Sequence, residues 1–298
     1  MTINTKTLAA IDIGTNAIRL FISNVEESPT ETLFKKIAFL RVPIRLGEDV
    51  FTTGEIGQQK RKRLCETMQG FSYIMSAFNV ESYKAYATCA MREARNGKSV
   101  AEQIQKECDL NIEIISGTKE AETIFAGGMN EVVDDDKTYL YVDVGGGSTE
   151  VIVYSKSVKV EACSFPLGTV RMLNDAVDKE EMKHFKKWLK NITEKYTPDA
   201  IIGSGGNINK IHKLLNKKER ERITYQEQDI LYEYMKSFNL EERERIMNTY
   251  RADVITPAMK IFLTVGKICK INEIIVPKLG LSDGIIRLLY EEEKRGRV

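Results

Sequence analysis

The apolar positions along this chain alternate between the two periods that distinguish strands from helices. In the first half, "SYKAYAT" and "NIEIIS" have the β-branched and aromatic composition typical of strands. Between residues 54 and 78 the apolar side chains recur instead at spacings of four and three, which predicts an amphipathic helix. The members of this stripe, all predicted to lie in the core, are Leu64, Met68, Phe71, Met75 and Phe78.

The second half of the chain continues the alternation. "DKEEMKHFKKWLKNITEKY" begins with Asp178 and has Glu181 three residues later, a spacing typical of a capped helix start. "DAIIGSGGNINKIHKLL" has the pattern of a strand, a glycine turn and a helix. Interleaved strands and helices predict an α/β protein.

Two glycine turns occur at matching places in the two halves. "AAIDIGTNAIRLFI" has Asp12 before its turn and "YVDVGGGSTEVIVY" has Asp143, 131 positions later. The same shift places Gly14 on Gly145, so the two halves start alike. A spacing far above the roughly 20 to 50 residues of solenoid repeats indicates duplicated domains.

The length of 298 residues also suits two domains, since domains usually have about 100 to 200 residues. We predict α/β domains at residues 1–125 and 126–298, divided near the polar segment "NEVVDDDKT". Two such lobes that face each other would bring both glycine turns to an interdomain cleft.

Composition excludes several classes of function. A net charge of +1 gives no general attraction to nucleic acid or to a membrane surface. Five scattered cysteines without a CxxC pair indicate reduced thiols, and no stretch approaches the roughly 20 apolar residues of a membrane helix. With no leader-like start, we expect a cytoplasmic protein that binds neither membranes nor nucleic acid. Only two histidines occur, which disfavours a histidine-rich metal centre or a Ser-His-Asp triad.

The turns themselves predict phosphate binding. Glycines let backbone N–H groups converge without obstruction by Cβ atoms, and such a nest binds anions. One such turn could equally be a plain hairpin, but two matching turns after aspartates favour phosphate. Neither is a GxxxxGK[ST] loop or a GxGxxG helix start. The candidate phosphate-binding residues are Asp12, Gly14, Thr15, Asn16, Arg19, Gly145, Gly146, Gly147 and Ser148.

Charged side chains near the turns supply further candidates. Asp143 and Glu150 flank the second turn, where carboxylates could hold Mg²⁺ or simply hydrogen-bond to the turn backbone. Arg92 follows a strand-like run and could clamp a phosphate, although alone it would more often form a surface ion pair. Glu120 lies in the first turn of a predicted helix, where a carboxylate commonly complements the helix dipole.

Eight segments, in order along almost the whole chain, resemble the exopolyphosphatase/guanosine pentaphosphate phosphohydrolase family. That family lies within the acetate kinase, Hsp70 and actin-like superfamily of ribonuclease H-like domains. The segments are "IDIGTNAIRL", "ATCAMREARN", "IISGTKEAE", "VDVGGGSTEV", "FPLGTVRM", "IIGSGGNINKI", "YRADVITPAMKIF" and "GLSDGII".

The resemblance implies a role for each candidate. Glu120 would orient or activate the attacking water, Asp143 and Glu150 would be catalytic and hold Mg²⁺, and Arg92 would contact phosphate. The chain departs from the family pattern at Lys119, Cys89, Ala17 and Ser282. It resembles the short, two-domain form, in which a final helix, about residues 282–294, can pack on the first domain.

These observations predict an enzyme that hydrolyses terminal orthophosphate from inorganic polyphosphate by metal-assisted attack of water. The alternatives are a guanosine pentaphosphate phosphohydrolase, a phosphotransferase with a nucleotide pocket at "IIGSGGNINKI", and a guanosine tetra- or pentaphosphate-binding module with little turnover. Expected partners are polyphosphate and these guanosine nucleotides, and the sequence leaves a homodimer open. Lysine and arginine clusters at residues 60–63, 186–190 and 217–222 could steer a polyanion or form solvated helix faces.

Overall fold

The computed structural model of the chain describes residues 4–128, 134, 136–247 and 251–296. These residues form two units, one from Met1–Gly128 with Gly280–Val298 and the other from Met129–Leu279. Most of the polar segment "NEVVDDDKT" lies outside the described residues. Within the described part of the chain, no helix is both long enough and apolar enough to cross a bilayer.

The first unit contains a five-stranded mixed sheet with the order β3-β2-β1-β4-β5. β1, β2 and β3 are antiparallel neighbours, whereas β4 and β5 run parallel to β1. The strands are β1 Asn4–Ile13, β2 Ile18–Glu27, β3 Thr32–Val42, β4 Ser82–Ala87 and β5 Ile112–Ile114. The helices are α1 Leu46–Thr53, α2 Gln58–Ala77, α3 Cys89–Glu93, α4 Gly97–Cys108, α5 Gly117–Ala126 and α12 Leu281–Arg295.

Helix α2 confirms most of the predicted apolar stripe. Leu64, Met68, Phe71 and Met75 are buried in the core of the first unit. Phe78, predicted as a fifth core member, is 41% exposed. The helix ends at Ala77, so Phe78 leaves the helical spacing that would have turned its ring inward.

The second unit contains a six-stranded sheet with the order β10-β11-β9-β6-β7-β8. Its strands are β6 Thr138–Val144, β7 Thr149–Ser155, β8 Val158–Phe165, β9 Ala200–Ser204, β10 Ile223–Thr224 and β11 Glu273–Ile275. Its helices are α6 Thr169–Leu173, α7 Lys179–Tyr196, α8 Gly205–Leu214, α9 Tyr225–Lys236, α10 Leu240–Met247 and α11 Ile255–Cys269. The Asp178 carboxylate caps α7 by accepting a hydrogen bond from the Glu180 N–H at 2.9 Å.

The two sheets share one topology, which confirms the α/β prediction and the two similar domains. The first three strands of each sheet form an antiparallel meander, and two later strands run parallel to the first. A shift of 131 residues places the last residue of β1, Ile13, on the last residue of β6, Val144. It also places Ile18 on Thr149, the first residues of β2 and β7. Both units therefore have the ribonuclease H-like strand arrangement, with β10 added at one edge of the second.

The last helix, α12, belongs to the first unit. It packs against β1, β2, β4 and α5. A Cβ atom on Gly284 would lie 1.9 Å from the Thr123 carbonyl oxygen, so α12 and α5 approach closely only because this residue is glycine. The first unit is therefore built from two segments of the chain, and the second unit lies between them in the sequence.

Candidate active site

The candidate residues cluster where parallel strands end. In the first unit, the carboxyl ends of β1, β4 and β5 lie side by side, since Ile13 pairs with Ala87 and Ala87 with Ile114. In the second, β6 and β9 end side by side, since Asp143, one residue before the end of β6, pairs with Ser204 at the end of β9. Open α/β sheets bind ligands in the crevice beyond such ends. We call these places, with the loops that follow them, the first edge and the second edge.

The first glycine turn is held by the start of α1. The Gly14 N–H donates to the Ala17 carbonyl at 3.2 Å, which closes the turn. The carbonyls of Thr15 and Asn16 accept from the backbone N–H groups of Gly47 and Arg45, at 3.0 and 3.1 Å. Because the carbonyls are occupied on the α1 side, an anion at this turn would meet N–H groups rather than carbonyl oxygens.

Asp12 and Arg19 face each other across the base of this turn. They are directly opposite in the β1–β2 register, and the Arg19 guanidinium forms an ion pair with the Asp12 carboxylate. Asp12 is buried, whereas Arg19 is partly exposed and reaches 3.6 Å from the position that a Cβ of Gly14 would occupy. A buried carboxylate repels phosphate, so this geometry favours Asp12 as the group that holds Arg19 beside the turn.

Arg92 and Glu120 meet at the same edge. The Thr88 N–H donates to the Ile13 carbonyl, and this bond places the start of α3, the helix that follows β4, next to the end of β1. Arg92 Nη1 donates to the Ile115 carbonyl at 2.8 Å and lies 4.0 Å from Glu120 Oε2. Glu120 is therefore a half-buried carboxylate held near a guanidinium, in the first turn of α5. Such a carboxylate can accept a proton or orient a water molecule.

The second glycine turn is held in the same manner by residues 168–171. The Gly145 N–H donates to the Ser148 carbonyl at 2.9 Å. The carbonyls of Gly145, Gly146 and Gly147 accept from the Thr169 N–H, the Arg171 N–H and the Arg171 Nε, at 3.0, 3.1 and 2.9 Å. Residues 168–171 therefore engage the carbonyls of the second turn, as the start of α1 engages those of the first.

Gly168 makes this arrangement possible. A Cβ on Gly168 would lie 2.3 Å from the carbonyl carbon of Gly146, closer than real side chains approach. Its φ of −131° is ordinary extended backbone, so the requirement for glycine is steric. The segment "FPLGTVRM" does not by itself indicate a role for Gly168. The signal was present in that segment, but only the fold shows which atoms Gly168 touches.

We expect Gly168→Ala to weaken binding of inorganic phosphate about tenfold, through loss of one charge-assisted hydrogen bond as the turn shifts. The free energy of unfolding should fall by about 1–3 kcal/mol from the overpacking. Isothermal titration and denaturant unfolding measure the two effects. Gly70→Ala is the matched control, since a Cβ there meets no atom within 4 Å. Unchanged phosphate affinity in Gly168→Ala would contradict a role for the second glycine turn in phosphate binding.

Asp143 and Glu150 form a carboxylate pair at the second edge. They are directly opposite in the β6–β7 register. Glu150 is 3% exposed, and its Oε1 accepts from the Ser148 and Ser164 hydroxyls at 2.7 and 2.9 Å. Burial and the neighbouring Asp143 raise the pKa of the Tyr141 phenol well above its ordinary value.

The donor set fits a hard cation with few protein ligands. Among the described residues, no group of three histidine, cysteine or acidic side chains is arranged to hold a metal ion. Mg²⁺ commonly uses one or two carboxylates, with water and substrate phosphates completing its shell. The Asp143–Glu150 pair provides that number.

The segment "IIGSGGNINKI" forms the end of β9 and the start of α8. Gly205 has φ +85°, and a Cβ there would lie 2.4 Å from Asp143 Oδ1. Arg251 Nη1 donates to the Asn207 side chain at 3.0 Å, and Asn207 Nδ2 donates to the Val144 carbonyl at 2.8 Å. This network ties α8 to β6 at the second edge. Neither Arg251 nor Asn207 is predicted as a site residue from the sequence.

The candidates thus divide between the edges. Asp12, the first turn, Arg19, Arg92 and Glu120 lie at the first, and Asp143, the second turn and Glu150 lie at the second. Their predicted roles in binding and catalysis stay predictions.

Comparison with known proteins supplies the family. The model of the Ppx/GppA phosphatase family matches residues 23–293. A Haemophilus influenzae protein named provisionally as an exopolyphosphatase is 24% identical, over 99% of this chain and 94% of that protein. A guanosine-5'-triphosphate,3'-diphosphate pyrophosphatase of Vibrio parahaemolyticus is 22% identical, over 97% of this chain and 60% of that protein.

The solved structures agree with this assignment. The crystal structure of the Aquifex aeolicus member of the Ppx/GppA family is 26% identical, covers 97% of this chain and 99% of that chain, and has a TM-score of 0.77. The family model includes the candidate residues from Arg92 onward, whereas Asp12, the first turn and Arg19 lie before its first matched residue. The structural match extends over nearly the whole chain. The chain belongs to the Ppx/GppA phosphatase family.

Proposed function

We propose that this protein is an exopolyphosphatase that releases terminal orthophosphate from inorganic polyphosphate. The observation that carries the proposal is the pair of glycine turns whose carbonyls are engaged by the fold, each beside charged side chains suited to phosphoanhydride hydrolysis. The similarity to the Haemophilus influenzae protein over 94% of its length supports the same activity.

The proposed mechanism divides the work among the candidate residues. Backbone N–H groups of the two turns bind phosphate oxygens, and Arg92 and Arg19 neutralise their charge. Glu120 orients the attacking water and accepts its proton, since it is a half-buried carboxylate placed by α5. Asp143 and Glu150 would hold Mg²⁺, which, when bound, supplies positive charge against the phosphate oxygens.

Guanosine pentaphosphate is the second candidate substrate. The similarity to the Vibrio parahaemolyticus pyrophosphatase over 97% of this chain favours it, and its terminal phosphoanhydride needs the same chemistry. A module that binds the nucleotide with little turnover is the remaining alternative. We also propose a cytoplasmic location, assembly as a homodimer and polyphosphate as the binding partner.

We expect orthophosphate release from medium-length polyphosphate in the presence of Mg²⁺, with loss of release in EDTA and recovery on adding Mg²⁺ back. The purified protein is assayed beside guanosine pentaphosphate and ATP at equal phosphate concentration. Faster release from the nucleotide would favour the second candidate. Release that does not depend on metal would contradict the role of Asp143 and Glu150 as metal ligands. No orthophosphate release from any of the three substrates would favour the binding module.

A further inference from the structure

One row of side chains crosses the first sheet beside its glycine turn. Asp12 on β1 is opposite Arg19 on β2, and Arg19 is opposite Arg41 on β3. Side chains directly opposite each other in antiparallel strands project from the same face. The row therefore leads away from the turn, first to Arg19 and then to Arg41.

The same row in the second sheet has different chemistry. Its members are Asp143, Glu150 and Ser164, in the matching register of β6, β7 and β8. There the Ser164 hydroxyl donates to Glu150, so the row is acidic and internally hydrogen-bonded. In the first sheet the row contains two guanidinium groups for one carboxylate. The duplicated scaffold thus presents an acidic row in one unit and a cationic row in the other.

Arg41 carries the excess charge. Its Nε and Nη2 atoms are buried, and neither has a hydrogen-bond partner among the described residues. Asp12 is paired with Arg19, and Glu48 is paired with Arg45 and Lys60. Burial, with the like charges of Arg19 and Arg45, lowers the pKa of Arg41 to about 10.

Leaving buried guanidinium donors without acceptors is costly, and cationic neighbours add to the cost. Because a guanidinium presents parallel N–H donors that match phosphate oxygens, an anion at Arg41 would satisfy both the donors and the charge. The unpaired donors of Arg41 therefore destabilise the free protein, and a phosphate bound to them would remove this destabilisation.

We propose that Arg41, with Arg19 and Arg45, forms a phosphate subsite for a residue of the polyanion that does not react. This inference rests on the proposed function for the identity of the polyanion. The subsite takes a second or third phosphate of a chain whose end lies at the first glycine turn. It gives the first unit a preference for oligophosphates over orthophosphate.

The test compares inorganic tripolyphosphate with orthophosphate by isothermal titration in EDTA, where no hydrolysis is expected. Arg41→Gln should weaken tripolyphosphate binding about tenfold and leave orthophosphate affinity within about twofold, since one charge-assisted contact is lost. Arg41→Lys should recover part of the affinity, because it restores the charge without the fork. Lys35→Gln, which removes a charge from an exposed side chain of the same strand, is the control.

Melting temperature without added anion provides an independent readout. Arg41→Gln should melt at the same or a higher temperature than the wild type, since it removes an unsatisfied charge.

A markedly lower melting temperature of Arg41→Gln, or equal weakening of tripolyphosphate binding by Arg41→Gln and Lys35→Gln, would overturn the subsite. Tripolyphosphate binding that depends on Arg41, without hydrolysis of any polyphosphate, would retain the subsite and remove the proposed function. Hydrolysis with binding unaffected by Arg41→Gln would do the reverse.

Discussion

Replacing Glu120 with glutamine is expected to lower kcat for orthophosphate release from polyphosphate by about 10²- to 10⁴-fold, the usual contribution of a general base. Glutamine keeps the size and hydrogen-bonding capacity of the side chain but cannot accept the proton of water. KM should change little, because the turns and Arg92 remain. Steady-state kinetics over a range of polyphosphate concentrations separate kcat from KM.

Glu122→Gln is the matched control for this variant. Glu122 lies on the same helix, α5, and is exposed, and its position two residues after Glu120 places its side chain on another face of the helix. It should retain near wild-type turnover. Both variants should keep the wild-type circular dichroism spectrum. Turnover in Glu120→Gln within a few-fold of wild type would remove Glu120 from the mechanism.

Asp143→Asn should reduce kcat/KM for polyphosphate by about 10²- to 10³-fold, as expected for the loss of one preorganised electrostatic group. It should also raise the Mg²⁺ concentration that gives half-maximal activity. Asparagine has nearly the same volume as the aspartate that lies against Gly205, but it removes the negative charge that a cation requires. Rates over a range of polyphosphate concentrations give kcat/KM, and rates over a range of Mg²⁺ concentrations at saturating polyphosphate give the Mg²⁺ dependence.

Asp175→Asn provides the comparison for that experiment. Asp175 is exposed in the second unit and has φ +50°, a conformation that asparagine tolerates well. Its replacement removes one acidic charge from the same unit and should leave the Mg²⁺ dependence unchanged. If Asp143→Asn has the Mg²⁺ dependence of the wild type, the carboxylate pair is not the metal site.

Local pattern was enough to predict much of the fold. The matching "DIG" and "DVG" runs place β1 and β6 at equivalent positions, and the stripe from Leu64 to Met75 defines the buried face of α2. These predictions succeed because strand alternation, helical spacing and glycine turns depend on near neighbours in the chain. The prediction that Phe78 is buried was wrong because the end of a helix is harder to locate from sequence than its interior.

The candidate site depends on contacts that local pattern does not predict. The sequence predicts Asp12 and Arg19 as phosphate-binding residues, but it does not show that the two form an ion pair across β1 and β2. It gave no role to Gly168, whose requirement for glycine comes from the Gly146 backbone more than twenty residues away. Contacts between distant segments leave no periodic signal in a single sequence.

The α/β class, the duplication, the two glycine turns and the charged residues beside them follow from short-range patterns in the sequence. Three features require the folded chain: α12 is part of the first unit, residues 168–171 and the start of α1 engage the turn carbonyls, and Arg19 and Arg41 share a row. These features depend on packing and strand register, which join residues far apart in the chain. The register of β2 against β3, set by pairing along the whole hairpin, places Arg41 beside Arg19.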